Sequence, residues 1–121
     1  MTEREMVRAI LEHTEYLRRN HLPYEGFEIM QTKWCARILL ELCQRTPQRF
    51  GELKRAMPEI SNVVLSSALK TLVERGVVVR TQFNEIPPHV EYDLTEKGRG
   101  MLTVIYEMIR WEERYASPPQ P

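Results

Sequence analysis

Ser61, Asn62, Ser66, Ser67 and Lys70 fall within ten positions of one another and are of the types that address nucleic acid. An amide or hydroxyl both donates and accepts, so it can read base edges, while an ammonium group holds phosphate. Basic residues stand on both sides of the run: Arg49 and Lys54 before it, Arg80 after it, with His89 further on. Phosphate contacts set register and base contacts set sequence. Asn62 is therefore expected to govern sequence preference, and Lys70 and Arg80 to strengthen binding to any duplex.

Other chemistries find less support in the residues. Cys35 and Cys43 lie eight positions apart on one expected helix, so their α-carbons should be about 12 Å apart at a rise of 1.5 Å per residue. A disulfide needs roughly 7 Å or less, so the pair reads as buried structural thiols, with a redox role as the alternative. His13, His21 and His89 are scattered and join no Cys or carboxylate at metal-ligand spacing, so neither a metal nor a cofactor is expected. Gly98-Arg-Gly100 lacks the strand-to-helix setting of a phosphate loop. No nucleophile elbow or paired acid is recognisable, so an enzyme is not expected.

The elements that must position the polar run follow from periodicity and from residues that interrupt it. Phe50, Leu53 and Met57 keep helical spacing until Pro58, which predicts a short helix. Ser61 is a natural N-cap for a second helix with Val64, Leu65, Ala68, Leu69, Leu72 and Val73 on its apolar stripe, ended by Gly76. Residues 77–83 are rich in β-branched and aromatic side chains, and residues 90–94 alternate apolar with acidic, so both read as strands. Asn84 to His89, with Pro87 and Pro88 adjacent, makes a stiff protruding loop between them. Helix, turn, helix and hairpin in this order is a winged helix-turn-helix, with one helix of major-groove size and a hairpin able to reach the backbone.

The blocks Lys33-Trp34, Arg49-Phe50-Gly-Glu-Leu53, Met57-Pro-Glu-Ile-Ser61, Leu72-Val-Glu-Arg-Gly76, Ile86-Pro-Pro-His-Val-Glu-Tyr92 and Leu94-Thr-Glu-Lys-Gly98 occur in sequence between Lys33 and Tyr115. In order and spacing the chain resembles the HxlR-type transcriptional regulators. That resemblance implies a dimeric, cytoplasmic, bacterial-type regulator that binds an operator through one winged helix per subunit. The chain departs from the family pattern at His21-Leu22-Pro23, where many relatives carry Cys-Pro, so a thiol sensor is missing there. Val63, Ala68 and His89 stand where basic residues are common.

Three further helices are expected around this core: residues 1–19, residues 33–43 and residues 95–115, the last interrupted near its start by Gly98 and Gly100. Asn20 to Gly26 reads as a loop. The chain is thus read as one domain, mainly α with a small β-hairpin: an N-terminal helix (1–19), a winged-helix core (33–94), a C-terminal helix (95–115) and a tail (116–121). The last helix is apolar around much of its circumference, which calls for a second copy. Met6 and Ile10 of the first helix, with Leu102, Ile105, Met108 and Ile109 of the last, are the expected dimer contacts. Tyr16, Tyr24, Phe27, Trp34, Tyr106 and Trp111 come from segments expected to converge near the dimer interface, and Trp34 and Trp111 are the candidates for lining a pocket there for a small apolar effector, against a reading as ordinary packing. The tail Ser117-Pro-Pro-Gln-Pro121 reads as a frayed end, with a Pro-rich ligand as the alternative.

With 121 residues, 42% hydrophobic, the chain suffices for one core, and it has no apolar span of membrane length. Its net charge of zero sets the main condition on DNA binding, because Lys and Arg supply much of the affinity for phosphate. The charges must be segregated, with Arg49, Lys54, Arg55, Lys70, Arg75, Arg80 and Lys97 near one face and the acids elsewhere, although Glu52, Glu59 and Glu85 lie close to that surface in the sequence. A winged-helix module that docks a protein instead of DNA is the competing reading.

Overall fold

Thr2 opens the first helix with a reciprocal cap: its hydroxyl accepts from the Glu5 amide at 3.1 Å, and the Glu5 carboxylate accepts from the Thr2 amide at 3.3 Å. The computed structural model describes residues 1–116. The tail Ser117–Pro121, read above as a frayed end or ligand, lies outside the described residues. In chain order the elements are α1 (Glu3–Arg19), α2 (Glu25–Gln31), α3 (Cys35–Gln44), β1 (Gln48–Arg49), α4 (Phe50–Ala56), α5 (Asn62–Glu74), β2 (Val78–Phe83), β3 (His89–Leu94) and α6 (Glu96–Trp111), followed by a π-helical turn over Glu112–Ala116.

The core is built around α3, whose Ile38, Leu39 and Leu42 are fully buried. Leu53 and Met57 from the α4 side, Leu65, Leu69 and Leu72 of α5, and Val77, Val78 and Leu94 from the hairpin close around them. Burial of these side chains, worth about 1.5–3 kcal/mol each, holds α4 and α5 in a fixed relation. Pro58 ends the first helix of the pair, and the Ser61 hydroxyl accepts from the Val64 amide at 3.1 Å to start the second. Gly76 takes φ +77°, a left-handed conformation suited to glycine, and turns the chain from α5 into β2.

Three features differ from expectation. The hairpin is part of a three-stranded antiparallel sheet of order β1-β3-β2, because Gln48 and Arg49 pair with Tyr92 and Glu91. Two residues are too few for a periodic signal, and β1 is held by its side chain: the buried Gln48 amide donates from Nε2 to the Glu41 and Arg45 carbonyls at 2.7 and 2.6 Å, capping the end of α3. Residues 25–31, assigned in part to a loop on the strength of Pro23 and Gly26, form α2. It is anchored by buried Ile29 and by contacts to distant residues that a local reading cannot see. Gly98 and Gly100 do not interrupt α6, which is continuous from Glu96 to Trp111. A β-carbon at Gly98 would lie 2.1 Å from the Val77 carbonyl oxygen, so this glycine lets the helix sit against the chain entering β2.

Candidate nucleic-acid interface

Leu65, Ala68, Leu69 and Leu72 turn one face of α5 into the core, and the opposite face is left to solvent. Asn62, Val63, Ser66, Ser67 and Lys70 line a shallow concavity there together with Phe50 at the start of α4. Ser66 and Lys70 also border a second recess, closed on the far side by Arg80 of β2 and Tyr92 of β3. The polar face of α5 is therefore flanked by α4 on one side and by the base of the hairpin on the other. Ser61 belongs to the same edge, but its oxygen is engaged as the helix cap.

Two of the seven cations expected near one face are paired with acids of α2. Arg75 pairs with Glu28 at 3.1 Å, and Lys97 pairs with Glu25 and donates to the Arg75 carbonyl at 2.9 Å. Both cations fasten α2 to the end of α5 and the start of α6, a correction to their placement on the binding face. Lys97 holds the Glu25 carboxyl below its usual range through their hydrogen bond and charge attraction. Lys54 is half-buried and donates to the Pro58 carbonyl at 3.2 Å, so it braces the turn between α4 and α5 rather than standing free as a phosphate contact.

Among the described residues, Arg49, Arg55, Lys70 and Arg80 enter no ion pair and are exposed. Two of the nearby acids are engaged, whereas Glu74 lies exposed in the recess with Lys70 and Arg80. Glu59 meets Arg37 at 2.6 Å, and hydrogen bonding to its own backbone and to Arg37 keeps it below the usual carboxylate range. Glu52 accepts from the Arg49 amide at 2.9 Å, so it caps α4.

His89, expected as a wing contact, is engaged within the hairpin. Its ring stacks on Phe83, with centroids 4.7 Å apart and planes 13° from parallel, and Nε2 lies 2.9 Å from Glu91 Oε2. Glu85 approaches Nδ1 at 3.8 Å, and the side chain is only 13% exposed. Phe83 and His89 are the last paired residues of the hairpin, so the imidazole secures the base of the loop. Ile86, in the loop beyond, is fully exposed.

The expected dimer residues divide in two. Met6 and Ile10 on α1, and Met108 and Ile109 on α6, are exposed, whereas Ile105 is 4% exposed and Leu102 packs against the core. Ile105 is corrected to an interior residue and Leu102 is partly buried, because one edge of the α6 stripe is already covered by its own chain. Trp34 packs at the start of α3 and Trp111 is 59% exposed near the end of α6. Neither lines an apolar groove of about 380 Å³ that lies between Tyr24, Glu25, Phe27 and Met30 at α2 and Met101, Val104 and Met108 of α6, with His13 at its margin. Buried Cys35 has its thiol pushed up by desolvation, but Cys43 is exposed, contrary to the expectation that both are buried.

Residues 29–120 match the model of the HxlR-like helix-turn-helix family, well over half of the chain. The chain belongs to the HxlR family. Among curated relatives, it is 40% identical over 103 residues to the HTH-type transcriptional regulator YdzF of Bacillus subtilis, covering 84% of this chain and 94% of that protein. It is 36% identical over 94 residues to YvaP of the same organism, covering 78% and 86%. Among solved structures, the reduced form of the transcriptional regulator YodB from B. subtilis superposes with a TM-score of 0.71 at 33% identity, covering 78% of this chain and 91% of that one. The oxidized redox regulator HypR gives 0.67 at 29% identity, covering 77% and 93%. This HxlR-family member is thus a transcriptional regulator with a winged helix-turn-helix domain.

Proposed function

We propose that the protein is a sequence-specific, DNA-binding regulator that acts as a homodimer on a roughly palindromic operator in the cytoplasm. The observation that carries this reading is the exposed polar face of α5, bordered by Phe50 of α4 and Arg80 of β2, while Glu52 caps α4 and Glu59 pairs with Arg37. In this reading α5 enters the major groove, Asn62, Ser66 and Ser67 address bases, and Lys70, Arg49 and Arg80 hold phosphates. Dimerisation is supported by the apolar stripe of Met6, Val7, Ile10 and Leu11 on α1, which its own chain leaves uncovered, and by exposed Val104, Met108 and Ile109 on α6. A two-fold dimer would set its two α5 helices into successive major grooves, about 34 Å apart. The groove between α2 and α6 adjoins those exposed α6 residues and suits a small apolar effector.

The deciding measurement is fluorescence anisotropy with duplexes from upstream of the protein's own gene and its neighbours, at two salt concentrations, against scrambled duplex. Selective binding that weakens with salt, with a log–log slope near −0.9 per phosphate neutralised, is the expected result. Equal, weak binding to scrambled DNA at low salt would overturn operator recognition and favour a protein-docking role for the same surface.

A further inference from the structure

Val63 is 79% exposed in the first turn of α5, although Leu65, two residues on, is fully buried. Nothing in the fold uses its side chain. A β-branched residue is also a poorer helix former than most, so helix formation does not favour it there. It shares the concave face with Asn62, Ser66, Ser67 and Lys70. The Asn62 amide makes no hydrogen bond among the described residues and both donates and accepts. No arginine lies within α5, and Lys70 stands about 12 Å further along the axis from Asn62. The first turn therefore lacks the long bidentate donor that reads guanine, and offers instead an amide, which matches adenine, beside a pair of methyl groups.

The one apolar feature that a base pair presents in the major groove is the thymine 5-methyl group. We infer that Val63 reads thymine through that methyl, and that Val63 with Asn62 directs the N-terminal half of α5 to an A·T-containing half-site. Contact between the valine and thymine methyls removes both from water, while a cytosine in its place would present an amino donor to an apolar side chain and leave it unpaired. Specificity at this position comes from burial and exclusion, which requires no net positive charge.

This inference rests on the DNA-binding reading, and its test separates the two. The full-length protein is first used to select duplexes from a randomised pool. Thymines in the selected half-sites are then replaced one at a time by deoxyuridine, which removes only the methyl group. The wild-type protein should lose roughly fourfold per half-site at one thymine position, the worth of one buried methyl. Val63→Ala should bind the thymine duplex more weakly by a similar factor and respond less than twofold to the uracil change. The exposed site makes that variant a safe one for folding, and circular dichroism checks it. Failure to select any sequence would remove the DNA reading and this inference with it. Selection of an operator that shows no uracil effect, or an undiminished one in Val63→Ala, would overturn the role of Val63 while leaving DNA binding intact.

Discussion

An added β-carbon at Gly98 meets the Val77 carbonyl oxygen, whereas at Gly100 it meets nothing within 4 Å, although both glycines lie in the same helix. The two positions should respond oppositely to alanine. Gly100→Ala is expected to stabilise by about 0.5–1 kcal/mol, the backbone entropy that glycine costs a helix. Gly98→Ala makes the same gain but forces the helix off the chain entering β2, and overpacking of about 1–3 kcal/mol should leave it less stable than the parent in urea unfolding. The cysteines divide similarly. Cys43 is exposed while Cys35 is buried with a raised pKa. A disulfide-exchange reagent should modify one thiol in the native protein and both after denaturation, since the thiolate is the reactive form and must be accessible. Two fast native thiols would contradict the burial of Cys35.

The element that most depends on distant partners is α2, joined to the rest by buried Ile29 and by the pairs Glu25–Lys97 and Glu28–Arg75. Because Lys97 lowers the folded-state pKa of Glu25 from its usual 4.5, that pair contributes stability at pH values above 4.5 and loses it as pH falls through the lowered folded value. Lys97→Met should return the Glu25 titration midpoint towards 4.5 by carboxyl NMR and speed amide exchange in α2. The pair is about half exposed, so high salt should weaken the effect in the parent protein. At α5 and β2 the cations with no ion pair have a different readout. Lys70→Ala and Arg80→Ala should each lessen the salt slope of operator binding by about 1.8 per dimer, two phosphates at roughly 0.9 each. A variant whose affinity falls with an unchanged slope would not be contacting phosphate.

Among the described residues, exposed apolar side chains recur along α1 and the outer side of α6, away from the residues that close the core. Ile10→Glu puts a charge into the stripe that a second copy would bury. It should convert a dimer to a monomer in light scattering while leaving helical content unchanged, because α1 buries only Leu17 against its own chain. Operator affinity should then fall steeply, since a lone α5 reaches one half-site and loses every symmetric contact. A monomeric wild-type protein would overturn the two-fold arrangement directly.

The winged helix was legible in the sequence because its signals are local. Pro58 stops a helix, Ser61 caps one, Gly76 ends one, and the apolar stripe names the face that turns inward through Leu65, Ala68, Leu69 and Leu72, although Val64 at its start stays exposed. Naming the buried face of α5 also named the polar one, so Asn62, Ser66, Ser67 and Lys70 were readable as a group. What the sequence could not assign were partners far apart along the chain. The strand at Gln48 and Arg49 exists through Tyr92 and Glu91, and α2 is fastened through Arg75 and Lys97. His89 is committed by Phe83 and Glu91 rather than by its own chemistry. Charge type is written in the residues, but whether a charge is free or paired depends on which segments the core brings together. Tertiary packing therefore decided which cations are left unpaired, and sequence periodicity decided which face of α5 stays open beside them.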